Sequence, residues 1–195
     1  MAKLRRGRAP GEAFEYTSVN TFVLSWLAEQ ILNKPFNEIA GDEIWSPLGA
    51  ESDALVSVSR SANAPATHGG ISATLRDVLR LGLLVTPSGR GGAAEPVVSD
   101  RALDKIRHGG RLDIFMGGSI GPKVTEELGE QPHHNTYQWD FVMEDGDFFK
   151  GGYGGQGLYV SPSRDMVVAF VGTPAPDKSG NQMTYIARQL SIGAF

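Results

Sequence analysis

The sequence predicts an α+β fold in which helices come first and an antiparallel sheet last. Three observations carry that expectation. Apolar residues recur at helical spacing through much of the first two thirds of the chain. From Tyr137 the period drops to two. A final stripe of Met183, Ile186, Ala187 and Leu190 then returns to helical spacing.

After Ser18, apolar side chains fall at Val19, Phe22, Val23, Trp26, Leu27 and Ile31. Ser18 suits an N-cap, and Asn33-Lys34-Pro35 a stop. Phe36, Ile39, Ala40 and Ile44 predict a second, shorter helix ending before Pro47-Leu48-Gly49. Residues 50–71, rich in Ser, Ala and Gly, read as loop. Thr74 and Asp77 form a capping-box-like start for a helix carrying Leu75, Val78, Leu79 and Leu83. Residues 87–96 read as a turn-rich surface segment, and Asp100 to His108 as another helix.

In the last third, Tyr137, Trp139, Phe141 and Met143 alternate with Gln138, Asp140 and Val142, as along a strand. Asp145-Gly146 is a hairpin signal. Leu158 to Val160 and Met166 to Val171 give two more strands, joined by a turn at Ser161 to Asp165. The expected domain spans 1–195, with 1–134 mainly helical and loop. Residues 135–195 would form a three-stranded antiparallel meander and a C-terminal helix. Such a sheet leaves an edge bare, which a soluble domain ordinarily covers.

Composition narrows the function. Hydrophobic residues make up 41% and charged residues 21%, as in ordinary globular domains. The net charge of -4 argues against nucleic acid as a partner, because such domains usually carry a basic stripe. With no cysteine, thiolate nucleophiles and cysteine-based zinc sites are excluded. No apolar run approaches the roughly 18 residues of a membrane span. Lys3, Arg5, Arg6 and Arg8 could begin a signal peptide, but Ala9-Pro10-Gly11-Glu12 follows where an apolar stretch should stand. The chain as given therefore reads as leaderless and cytoplasmic. His133-His134 has no third ligand at a telling spacing, so no metal is expected. Gly152-x-Gly154-x-x-Gly157 matches a dinucleotide fingerprint in letters only, since it precedes a strand and not a helix.

Four segments carry a family resemblance. Pro10 to Thr21 contains Tyr16-Thr17-Ser18 just before a helix. Glu43 to Ala50 ends one helix, and Thr67 to Asp77 places Gly69-Gly70 ahead of the next. Gly151 to Val160 holds the run Tyr153-Gly154-Gly155-Gln156. In this order and spacing the chain resembles the C-terminal portion of a β-lactamase and penicillin-binding-protein-like serine hydrolase. The nearest group is that of class C β-lactamases, esterases and 6-aminohexanoate-dimer hydrolases. On residues alone, Tyr16 is a loop aromatic, Ser18 a helix cap and the glycine run a hairpin.

The resemblance gives these residues roles. Tyr16 would be the phenol of the second motif, moving protons between nucleophile and leaving group, with the Ser18 hydroxyl as polar support. Tyr153, Gly154 and Gly155 would replace Lys, Thr and Gly of the third motif, beside the substrate. The Gln156 N–H would serve as an oxyanion donor. A missing lysine there would point toward esters or amides and away from a β-lactam carboxylate. His68 and Asp77 read as structural.

The family's first motif, Ser-x-x-Lys, supplies nucleophile and base. No serine in this chain has a lysine three residues on. Two readings follow. The chain is a fragment of a bacterial serine hydrolase, inactive alone or active with a separately encoded N-terminal piece. Alternatively, it is a non-catalytic module whose cleft binds a peptide or protein. The parent enzyme would take an ester, amide or β-lactam and need no cofactor.

Overall fold

The computed structural model describes residues 5, 7–60, 64–91, 96–173 and 182–193. Helix α1 spans Ser18–Leu32 and ends at Asn33, whose left-handed conformation (φ 51°) stops it. The N-cap position is held by Thr17, so Ser18 is the first helical residue and not the cap. α2, Phe36–Ala40, runs into a π-helical turn at Gly41–Trp45, the second short helix expected from the sequence. The segment expected to be loop contains a small antiparallel ladder, β1 (Leu55–Val56) with β2 (Ile71–Ser72). Such two-residue strands are too short to show a period.

Helix α3, Leu75–Leu83, starts as its capping box predicts: the Asp77 N–H donates to Thr74 Oγ1 at 3.2 Å. Asp77 is fully buried and also accepts from the backbone N–H of Glu51 (2.8 Å) and Ser52 (3.2 Å). It thus ties the preceding loop to the helix. A short α4, Pro87–Arg90, precedes α5, Asp100–His108, which is capped by Ser99. Three helices were not anticipated: α4, in the segment read as turns, and α6 (Leu112–Met116) and α7 (Ile120–Leu128). Glycines at 109, 110, 117, 118, 121 and 129 break that stretch into pieces too short for a legible apolar stripe.

The main sheet has four antiparallel strands in the order β3-β4-β5-β6, not three. β3 is only Phe141–Val142, because Tyr137 (φ 48°) and Gln138 (φ 66°) are left-handed and turn the chain where alternation predicted a strand. β4, Phe148–Gly152, is the added strand; its Gly-Gly end hid it. β5 spans Gln156–Ser161 and β6 spans Met166–Val171, joined through a 3₁₀ turn at Pro162–Arg164. α8, Gln182–Ile192, supplies the C-terminal helix.

Helices cover both faces of this sheet. Phe141, Phe149 and Tyr159 pack with Phe115 of α6, Leu128 of α7 and Ala187 of α8. Val142, Phe148, Leu158 and Val160 pack on the other face with Ile106 of α5, and Val78 of α3 packs against them. β5 is buried on both faces, as its unbroken Leu158-Tyr159-Val160 run requires. Gly82 lets α3 lie against the sheet: a Cβ there would stand 2.5 Å from Val167 Cγ1.

Two surfaces stand out against this packing. None of the fifteen residues of α1 is buried, although it carries apolar residues on all sides. Leu24, Trp26, Leu27, Ile31 and Leu32 are all exposed. The outer edge of β6 has no strand partner among the described residues.

Candidate active site

A cleft of about 400 Å³ opens between the loop that enters α1 and the loop that enters β3. Tyr16 and Ser18 line one wall, while Gln138, Asp140 and Lys150 line the other. Side-chain hydrogen bonds tie α1 to its surroundings. Thr21 Oγ1 donates to Gln138 Oε1 at 2.9 Å, and the hydroxyls of Ser25 and Thr67 meet at 3.0 Å. His68 also lines the cleft, its ring 4.6 Å from that of Phe22 between centroids.

Lys150 organises the centre. Its Nζ donates to Tyr16 Oη at 2.9 Å and lies 5.0 Å from the centre of the Tyr16 ring. It also pairs closely with Asp140 Oδ1. The other oxygen of that carboxylate, Oδ2, accepts from the Gly151 N–H at 2.8 Å. Burial works against the ammonium, yet the Asp140 carboxylate and the Tyr16 hydroxyl together hold Lys150 above its ordinary value. Lys150 is therefore a cation throughout the neutral range.

Strand geometry explains why Lys150 reaches this point. Lys150 and Leu158 are register partners, as are Phe149 and Tyr159. β3 pairs with β4 only at Phe149 and Phe148. Beyond that point the β4 edge has no strand beside it among the described residues, and the Gly151 N–H turns to the Asp140 side chain instead.

The expected third-motif residues fall elsewhere. Tyr153, Gly154 and Gly155 form the tip of the β4–β5 hairpin, and Tyr153 is 93% exposed. Gly154 (φ 80°) and Gly155 (φ 90°) are left-handed, as a tight turn between β4 and β5 requires. Gln156 lies on β5 between two strands, with Gly152 and Val171 as register partners. Its backbone is thus flanked by β4 and β6, away from the cleft. The triplet brought to Tyr16 is Lys150-Gly151-Gly152, three residues earlier. A lysine ahead of a Gly-Gly pair was the sequence signal for it. The cation that meets Tyr16 is Lys150.

Among the described residues, no group of His, Asp or Glu side chains could hold a metal ion. His134 is buried, and its Nε2–H donates to the Arg107 carbonyl at 2.9 Å. No described helix is long and apolar enough to cross a membrane.

A profile of the Beta-lactamase family matches residues 1–191. The chain belongs to that family. A 6-aminohexanoate-dimer hydrolase of Paenarthrobacter ureafaciens is 28% identical over 183 residues, covering 91% of this chain and 43% of that protein. This chain therefore spans less than half the length of that relative. Among solved structures, a candidate β-lactamase from Bacteroides dorei DSM 17855 superposes with a TM-score of 0.72 at 21% identity. That match covers 98% of this chain and 62% of the other. EstCE1, a hydrolase with promiscuous acyltransferase activity, gives a TM-score of 0.66 at 16% identity, covering 94% and 57%. These structures share the fold.

Proposed function

We propose that this family member is the C-terminal part of a serine acyl-hydrolase, supplying proton transfer and the substrate-lining strand edge. The nucleophile comes from further polypeptide. The contact of Lys150 with Tyr16 carries this reading. In it, a serine hydroxyl attacks the carbonyl carbon of an ester, amide or β-lactam, and the serine proton passes to the Tyr16 oxygen. The Tyr16 hydroxyl proton passes on to the leaving group in the same relay as the acyl-enzyme forms, and water then releases the acid. Lys150, donating to the phenol oxygen, fixes that oxygen in the cleft. Ser18 adds a hydroxyl on the same wall. Backbone N–H groups on the open β4 edge beyond Gly151 would stabilise the oxyanion. With a lysine in place, a substrate carboxylate is no longer disfavoured.

Three observations support a missing complement: the Ser-x-x-Lys motif is absent, α1 has no buried residue, and the β6 edge has no strand partner among the described residues. A helix apolar on all sides ordinarily lies inside a protein. The complement would cover α1 and β6, bringing the nucleophile to the Tyr16 end of α1.

The test has two arms. The chain alone is expected to remain unlabelled by a fluorophosphonate probe, read by intact mass; stoichiometric modification of any serine would overturn the missing nucleophile. In the chain joined to the Ser-x-x-Lys half of a family member, Tyr16→Phe is expected to lower kcat for p-nitrophenyl esters by about 10²–10⁴-fold. A change within about twofold, with the fold intact by circular dichroism, would remove Tyr16 from the mechanism.

A further inference from the structure

Asp140 sits at the start of β3, yet both of its carboxylate oxygens point across to β4. One holds the Lys150 ammonium and the other the Gly151 N–H. Its side chain is 18% exposed and that of Lys150 is 36% exposed, so the pair is only partly screened by water. The Asp140 N–H in turn donates to the Phe149 carbonyl at 2.8 Å. One residue therefore contacts three successive positions of β4.

We infer that Asp140 is a positioning residue: its carboxylate aims Lys150 at Tyr16 and closes the β3–β4 ladder at Gly151, leaving the strand edge beyond open to substrate. This rests on the reading of Tyr16 and Lys150 as the proton-handling pair. A lysine has four methylenes of freedom and a large rotamer entropy, so a phenol oxygen alone would hold it weakly. The second partner, fixed to the backbone of the next residue, removes that freedom. Capping the Gly151 N–H has a separate consequence. A further ladder bond there would extend β3 along β4 and cover the edge that lies beside the cleft; the side chain satisfies that N–H without adding a strand.

The inference can be tested on the chain as it stands, through the rate at which each lysine is acetylated by sulfo-N-hydroxysuccinimidyl acetate at about pH 8. Peptide mass spectrometry reads the rates, with exposed Lys105 as internal reference. In the unaltered chain Lys150 is expected to react at least about tenfold more slowly than Lys105, because a charge-assisted pair holds its ammonium. Asp140→Asn keeps an acceptor for the Gly151 N–H but removes the charge, and should bring Lys150 to within about threefold of Lys105. Unchanged slow labelling of Lys150 in a folded Asp140→Asn variant would overturn the inference.

If Asp140→Asn does not fold, judged by its melt, Asp140→Glu decides. Lys150 staying slower than Lys105 in that variant supports the role, and equal rates overturn it. Ester turnover of the completed protein separates this inference from the wider reading. Faster labelling in Asp140→Asn, together with turnover that Lys150→Met leaves unchanged, would keep Asp140 as the anchor of Lys150 while removing the pair from the chemistry.

Discussion

Replacing Arg188 with methionine should be among the most destabilising single changes in this chain. Arg188 lies on α8 with its side chain only 7% exposed. Its Nε donates to Glu130 Oε2 at 2.9 Å and its Nη2 to Glu130 Oε1 at 2.6 Å. Nη1 reaches Asp145 Oδ2 at 2.8 Å, Asp147 Oδ2 at 3.2 Å and Tyr159 Oη at 3.3 Å. Asp147 is fully buried and also accepts from Tyr159 Oη (3.0 Å), Arg164 Nη1 (3.0 Å) and Ser191 Oγ (2.6 Å). The cluster joins α8 to the β3–β4 turn and to β5. Burial and the adjacent Asp147 carboxylate raise the Tyr159 phenol, which stays neutral; without Arg188, Arg164 is the cation left beside Asp145 and Asp147 among the described residues.

Breaking one partner out of a buried ion network typically costs about 3–5 kcal/mol. In a chain of this size that lowers Tm by roughly 6–20 °C, at about 2–4 °C per kcal/mol. Arg188→Lys should recover only part of the loss, because a point charge cannot hold Glu130 through two parallel bonds and also reach Asp145. Urea denaturation of the three proteins at neutral pH provides the measurement. A loss under about 1 kcal/mol for Arg188→Met would refute the argument and show that Arg164 alone neutralises the cluster.

Two further outcomes are expected. Burial first, with a weaker contribution from His133, depresses His134, so the unfolded chain takes up its proton before the folded one. The contribution of His134 is then complete above about pH 6.5 and is lost as pH falls through that value toward the lower folded-state pKa. Urea midpoints between about pH 7.5 and 5 should fall in the parent and fall less in His134→Phe; equal slopes would exclude His134. The exposed apolar face of α1, with Ile31 78% exposed, should bind a hydrophobic dye. Leu27→Lys with Ile31→Lys should weaken that signal, and undiminished fluorescence in the double variant would place the dye elsewhere.

Local signals were legible wherever one short-range rule decided the outcome. The capping box at Thr74 and Asp77 and the helix Asp100–His108 formed as written, because a hydroxyl three residues from an N–H, or a Ser99 cap, acts within one turn. The ordered segments at Tyr16, Gly49, Gly69-Gly70 and the Gly151–Val160 run marked the family before any coordinates. Where two rules competed, the sequence was ambiguous. The alternation from Tyr137 looked like a strand, but the left-handed Tyr137 and Gln138 ended it, and only Phe141 and Val142 pair. The glycines of the third segment served equally well as a turn or as a substrate-facing strand, and only pairing separated the two.

By itself the sequence determined the α+β order, the family pattern, the loop phenol at Tyr16 and the lack of Ser-x-x-Lys. Each of these is a matter of residue type and of spacing along the chain. The tertiary structure decided which cation meets that phenol. Tyr16 and Lys150 are 134 residues apart, and their contact depends on how β4 registers against β3 and β5. A side chain changes face with every one-residue shift along a strand. The choice between Lys150-Gly151-Gly152 and Tyr153-Gly154-Gly155 was therefore a question of register. The hairpins that set this register are local, but the contact of the Tyr16 loop with β4 spans 134 residues and leaves no trace in local spacing.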